Sequence, residues 1–257
     1  MNLERKLSSL LEEPPSSALW ARINKTLDGI NHRTDFARAV ERCDPVLRSW
    51  PVTIEREAPE NWVKDLLAGQ SAPQLRLTNL VHLQDIRLSE QDVRLLANSS
   101  DLAQVWHLSL VRCWFLDAGL HALAASPHFT KLTHLALDSG GFGLTSAASE
   151  ALFRSRVVER VRYLVLNQNL LGTPGLEQLA RWRNIHRVKH LGLQGTCVDS
   201  GGLAKLVTSN LSELEMLNLN GNRIGDAGAE LLARTAGLSS LLGLLLGGNQ
   251  VAHAGIR

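Results

Sequence analysis

From residue 81 onward, pairs of aliphatic residues with a single residue between them return at a nearly fixed interval. They are Val81/Leu83, Leu108/Leu110, Leu135/Leu137, Leu164/Leu166, Leu191/Leu193, Leu217/Leu219 and Leu244/Leu246. The steps between first members are 27, 27, 29, 27, 26 and 27 residues. Such alternation predicts a short strand with one buried face. Each pair is followed by a turn and then by leucines three or four apart, as in 117–124, 173–180 and 200–206, which predicts one amphipathic helix per interval. A unit of one strand and one helix cannot bury its leucines alone, so the units are expected to stack with strands parallel and helices outside. Leu75 and Leu77 predict one irregular edge strand ahead of the first pair.

The first seventy residues lack this pattern. Leu3, Leu7, Leu10 and Leu11 share a helix face that Pro14-Pro15 ends. Ser16 or Ser17 caps a second helix carrying Trp20, Ile23, Leu27 and Ile30. A third, through Phe36, Val40 and Cys43, is expected to stop before Pro45. Pro59 suits the first position of a fourth, which carries Trp62, Val63, Leu66 and Leu67 and ends at Gly69. The chain thus divides into an N-terminal helical cap region, residues 1–70, and a repeat domain of about seven units, residues 71–257. A repeat stack exposes its core at each end, so the cap region is expected to close the first unit, with Trp20, Trp50 and Trp62 packed against it.

The clearest unit spans residues 214–233 and reads L-x-x-L-x-L-x-x-N-x-I-G-D-x-G-A-x-x-L-A. With it in hand, residues 81–257 resemble the ribonuclease-inhibitor-type leucine-rich repeats. The helical region before looser repeats is similar to leucine-rich-repeat proteins of bacteria. The resemblance implies an α/β fold, a right-handed leucine-rich-repeat solenoid with parallel strands on its concave face and helices on its convex face. Asn169, Asn222 and Asn249 recur at the position where an asparagine side chain can bond the backbone of a neighbouring turn. Ile86, Cys113, Gly140 and Thr196 stand there in the other units. Gly255 matches Gly228, and the sequence stops two residues later, so the last unit is expected to be incomplete. Leu241, Leu242, Leu244, Leu245 and Leu246 then form an apolar edge that favours end-to-end self-association.

Composition narrows the function classes. The chain has 44% hydrophobic and 20% charged residues, enough apolar material for a sizeable core. Three dispersed cysteines, Cys43, Cys113 and Cys197, suit neither a disulfide framework nor a cysteine-built zinc site. Cys113 and Cys197 read as turn or core fillers. Neither a signal-peptide pattern nor an apolar run of about 18 residues is found, so no membrane partner is expected and the cytoplasm is the expected location. Phosphate-loop and H-E-x-x-H motifs are also missing. The cluster Ser139-Gly140-Gly141-Phe142-Gly143 lacks the lysine of a phosphate loop and reads as a turn. No enzymatic activity, cofactor or metal is expected.

Candidate binding residues follow from the strand alternation, which turns the residues flanking the leucines toward the concave side. These are His82, His107, Ser109, His134, Asp138, Tyr163, Asn167, His190 and Gln194. His107, His134, Tyr163 and His190 form one column, a polar-aromatic stripe suited to a protein partner. As metal ligands, His107 and His134 lack a third donor. A second candidate is charge: Arg154, Arg156, Arg160, Arg162, Arg181, Arg183, Arg187 and Lys189 recur across one repeat interval and are expected to merge into one basic patch. Trp182 among them reads as a packed helix residue. The leading functional expectation is a non-catalytic protein–protein interaction scaffold. The alternative is a regulator of a GTPase or other nucleotide-hydrolysing enzyme, implied by the shared repeat class. A third is nucleic-acid binding through the basic patch, with an acidic protein surface ahead of nucleic acid as its ligand.

Overall fold

In the computed structural model, residues 3–139 and 143–252 are described. Four helices come first: α1 (Leu3–Leu11), α2 (Ser17–Asp28), α3 (Arg33–Arg48) and α4 (Glu60–Leu67). Strands and helices then alternate. They are β1 (Leu80–Gln84), α5 (Glu90–Asn98), β2 (His107–Val111), α6 (Asp117–Ala124), β3 (His134–Asp138), α7 (Ser146–Arg154) and β4 (Tyr163–Val165). After them come α8 (Gly172–Arg181), β5 (His190–Gly192), α9 (Ser200–Leu206), β6 (Met216–Asn218), α10 (Gly225–Arg234) and β7 (Gly243–Leu245). All seven strands lie parallel in one sheet, in chain order.

Strand register follows the leucine pattern. Val81, Leu108, Leu135, Leu164, Leu191, Leu217 and Leu244 are successive partners. The first six are buried to 2% exposure or less, whereas Leu244 at the edge is 37% exposed. Each buried leucine contributes about 2 kcal/mol. One continuous core therefore runs from Leu7 in α1 to Leu232 in α10. Glycine on the first helical turn leaves room for the side chain of the residue that precedes the helix. A Cβ at Gly228 would lie 2.2 Å from the Ile224 side chain, and one at Gly175 would lie 2.7 Å from Leu171.

The N-terminal helices keep their expected faces, with one change. Ser16 Oγ accepts the Leu19 N–H at 3.0 Å and caps α2, and α4 ends before Gly69 in the left-handed region, φ +74°. But α3 does not stop before Pro45; it continues to Arg48. Proline removes one helical hydrogen bond. Here Val40, Cys43 and Leu47 lie on one buried face, and Arg48 pairs with Asp44 one turn back, so packing carries the helix past the break.

The first edge of the sheet also differs from expectation. Leu75 and Leu77 do not form a strand; they sit buried in a 3-10 turn, Pro73–Leu77. The edge is covered instead by an extended segment around Arg56–Ala58. Arg56 carbonyl accepts the N–H groups of Asn79 and Leu80 at 3.0 and 3.3 Å, and Ala58 N–H donates to Leu80 carbonyl at 2.8 Å. Asn79 secures it by accepting the Arg56 N–H and donating to Ile54 carbonyl. Thus a seventh parallel pairing in the ladder, Glu57 beside Leu80, covers its first edge. Trp20 holds this segment by donating Nε1–H to Glu57 carbonyl at 2.9 Å, while Trp62 donates to Asp28 and meets Trp20 edge-on. The tryptophans therefore pack, as their size suggests.

The asparagine position behaves as a joint between units. Asn222 Nδ2 donates to the carbonyls of Leu193, Leu219 and Asn220, and its Oδ1 accepts the N–H groups of Thr196 and Val198. Asn169 and Asn249 repeat the arrangement. Cys113 substitutes a buried thiol directed at Leu83 carbonyl, and Thr196 a hydroxyl directed at Leu193 carbonyl. Cys197, by contrast, is exposed in a left-handed turn, φ +60°, so it fills a turn and not the core. Gly140, Gly141 and Phe142 of the glycine cluster lie outside the described residues, as does Gly255.

Candidate interaction surfaces

Because parallel strands place equivalent residues about 4.8 Å apart, aromatic rings at one repeat position can touch. The column expected from the sequence does so. His107, His134, Tyr163 and His190 are register partners on β2 to β5. Ring centroids are separated by 5.1 Å between His107 and His134 and by 4.0 Å, with planes nearly parallel at 6°, between His134 and Tyr163. Tyr163 then meets His190 edge-on at 4.6 Å. Trp106, which lies outside the alternating strand positions, joins at 5.0 Å from His134 and 5.7 Å from His107. Its signal in the sequence is its place directly before a column residue.

Two imidazoles of the column, His107 and His134, resist protonation. Burial holds His134 down to about 4, with His107 and His190 opposing its protonation as well. His107 is also lowered, chiefly by burial; nearby Glu55 works against the shift and His82 adds to it. Thr133 Oγ1 lies 2.9 Å from His134 Nδ1. Trp106 Nε1 and His107 Nδ1 are buried without hydrogen-bond partners among the described residues. At the other end Glu215 approaches His190 at 4.0 Å while bonded to Lys189, which pulls the Glu215 carboxyl below its ordinary value.

Other expected face residues serve the scaffold. His82 Nδ1 lies 3.0 Å from Ser109 Oγ, and Ser109 is only 6% exposed. Asn167 Oδ1 accepts the Gln194 N–H of the next strand at 2.9 Å. Gln194 Oε1 in turn faces Asn218 Nδ2 at 3.4 Å. Asp138 lies at the end of β3 near Arg112, which is bonded to Asp85 through both oxygens. No group of three metal-ligating side chains is found among the described residues.

Seven of the eight basic residues line two recesses that share Arg160 and Glu159. Arg154, Arg156, Arg160, Arg181 and Arg183 line a groove of about 940 Å³ at the ends of α7 and α8. Arg162 and Arg187, with Arg160, line a neighbouring recess beside Glu159. Lys189 is turned to Glu215 next to the ring stack. Carboxylates outside the 154–189 window pair with three of the eight: Glu150 with Arg154, Glu213 with Arg162 and Glu215 with Lys189. A charge count within a window cannot see partners supplied by adjacent units. Trp182 stacks on Phe153 at 5.7 Å and is buried.

Among known proteins, the leucine-rich repeat family matches residues 212–233. The chain is 25% identical over 171 residues to the ribosomal large subunit pseudouridine synthase C of Vibrio vulnificus (strain CMCP6), a match covering 64% of this chain. It spans about half the length of that relative, 51%. An internalin from Listeria monocytogenes str. 4b F2365 aligns at 14% identity over 85% of this chain and 91% of its own, with a TM-score of 0.24. No helix among the described residues is long and apolar enough to cross a membrane. Residues 212–233 match a leucine-rich repeat, and β6 within that match lies in register in one parallel sheet with the other six strands.

Proposed function

We propose that the chain is a non-catalytic protein-interaction scaffold, a right-handed solenoid of the ribonuclease-inhibitor-like class that binds a protein on its concave strand face. The observation that carries this reading is the continuous stack of Trp106, His107, His134, Tyr163 and His190 across β2 to β5. The rings hold one another in place, one pair face to face and the others tilted or edge-on. Preordered rings lose little freedom on binding, which favours them as anchors. An imidazole held to about 4 is a weak base at neutral pH, which suits recognition better than proton abstraction. The raised thiol values of Cys43, about 12, and Cys113, about 11, fit inert cysteines in a reducing cytoplasm. End-to-end pairing through β7 is a second contact of the same scaffold, supported by Leu242, Leu244 and Leu245, which are 83%, 37% and 44% exposed.

The test is comparative capture. Proteins retained by the immobilised chain are identified and the experiment is repeated with Tyr163→Ala and His134→Ala, whose thermal melts are checked first. A partner whose capture falls at least about tenfold in both variants supports the strand face, the loss expected for an interface anchor worth over 1 kcal/mol. Equal capture by both variants removes the ring stack from the binding site.

A further inference from the structure

The groove at the ends of α7 and α8 offers a surface distinct from the rings, and none of the stacked residues lines it. Its floor is the Phe153–Trp182 stack, with the two side chains 6% and 3% exposed. Around it stand Lys131, Arg154, Arg156, Arg160, Arg181 and Arg183, against two lining carboxylates, Glu150 and Glu159. Arg154 is paired with Glu150 and Arg183 with Glu159, and Arg181 reaches Glu177 one turn earlier. Arg156 and Arg160 are exposed and make no ion pair among the described residues. The groove therefore holds an excess of positive charge with two arginine forks open to a ligand.

We propose that this groove docks an extended acidic peptide segment of a partner protein. Guanidinium forks match carboxylates bidentately. Arg156 and Arg183 follow the ends of the neighbouring helices α7 and α8, whose axes lie about 8–10 Å apart, and Arg183 exchanges Glu159 for a ligand carboxylate. An extended chain advances about 3.3 Å per residue. Carboxylates three residues apart therefore span the two rows. Nucleic acid fits less well. Its bases need exposed aromatic platforms, and both aromatic residues here are buried in their own stack.

Fluorescence anisotropy at low salt provides the test, using three labelled probes of equal net charge. One is a Gly/Ser peptide with glutamate at every third position, the second has the same composition with its glutamates in one block, and the third is oligo-dT. The spaced peptide should bind best. Arg156→Glu with Arg160→Glu should weaken it by roughly a hundredfold, about tenfold for each charge-assisted hydrogen-bonding arginine removed. The pair Arg156→Gln and Arg160→Gln, which removes charge without reversing it, should weaken it in the same direction if the reversed variant proves unstable. Binding of oligo-dT as tight as the peptide would assign the groove to phosphates and overturn the proposal. So would equal binding of the blocked peptide, indifference to both double variants, or no peptide binding at low salt.

Discussion

The units around β2 to β5 and those around β6 and β7 share one backbone plan but use it differently. The later units carry asparagine at the joint and glycine at the left-handed turn: Asn222 and Asn249, Gly221 at φ +64° and Gly248 at +70°. The earlier units are mixed: Cys113 and Thr196 stand at the joint where Asn169 keeps the asparagine, and Arg112 and Gln168 stand at the turn, with φ of +50° and +56°, where Gly195 at +63° keeps the glycine. Across the same strands the later face offers Met216 and Gly243, where the earlier one offers stacked rings. Regularity thus marks residues answering to the backbone of the next unit. Departures from it mark positions where side chains answer to one another or to solvent, and that is where recognition can be written without undoing the stack.

The comparison breaks most sharply at the joint. Asn222→Ala leaves buried carbonyls of Leu193 and Leu219 and the buried N–H groups of Thr196 and Val198 without their partner. Each such orphan costs about 1–3 kcal/mol, so the expected loss is about 3 kcal/mol after partial relaxation. Cys113→Ala, at the equivalent position, forfeits only weak thiol interactions and a small apolar volume, about 1 kcal/mol. Chemical denaturation of both variants measures the difference. Equal losses would show that the joint is no stronger in the regular units.

The repeat period was legible because leucine burial forces it: a shift of one residue would turn each pair to solvent. The column of His107, His134, Tyr163 and His190 followed from the same register. Three features were not legible, each for a physical reason. Trp106 lies just before β2, outside the alternation that marks the strand face, and its ring meets His134 edge-on. Continuation of α3 through Pro45 depends on burial of Leu47, a tertiary effect that local proline rules omit. The extended segment at Arg56–Ala58 has no leucine pair, because its contribution to the sheet is made by backbone groups and by Asn79. The pairing of Lys189 with Glu215 and of Arg162 with Glu213 likewise rests on glutamates supplied by other units.

A smaller effect separates the ring face from the joint through pH. His134 has its value lowered in the folded chain to about 4, below the ordinary 6.5. The unfolded chain therefore takes up this proton first as pH falls. The stability contributed by neutral His134 is complete above about 6.5, declines between 6.5 and 4, and is gone below that. Lowered His107 acts in the same direction. His134→Phe keeps a ring against Tyr163 but cannot be protonated. Its melting temperature should fall less than that of the unaltered chain between pH 7 and 4. Parallel curves would show that His134 titrates the same way folded and unfolded, and the stack would lose its electrostatic distinction.

The smallest effect concerns the turn itself, where the two regions solve one backbone requirement with different residues. At Gly221 a Cβ would meet nothing closer than 3.8 Å, so a substitution there tests conformation without a clash. Gly221→Ala forces an L side chain into the left-handed region and should destabilise by about 1 kcal/mol. Asparagine visits that region with less strain, so Gly221→Asn should cost no more than about half as much. Arg112 and Gln168 already occupy the equivalent sites, which shows that side chains are accommodated when their surroundings permit. If Gly221→Ala and Gly221→Asn melt together at the temperature of the unaltered chain, φ at this turn is not what distinguishes the regular units. The distinction would then rest on the asparagine joint alone.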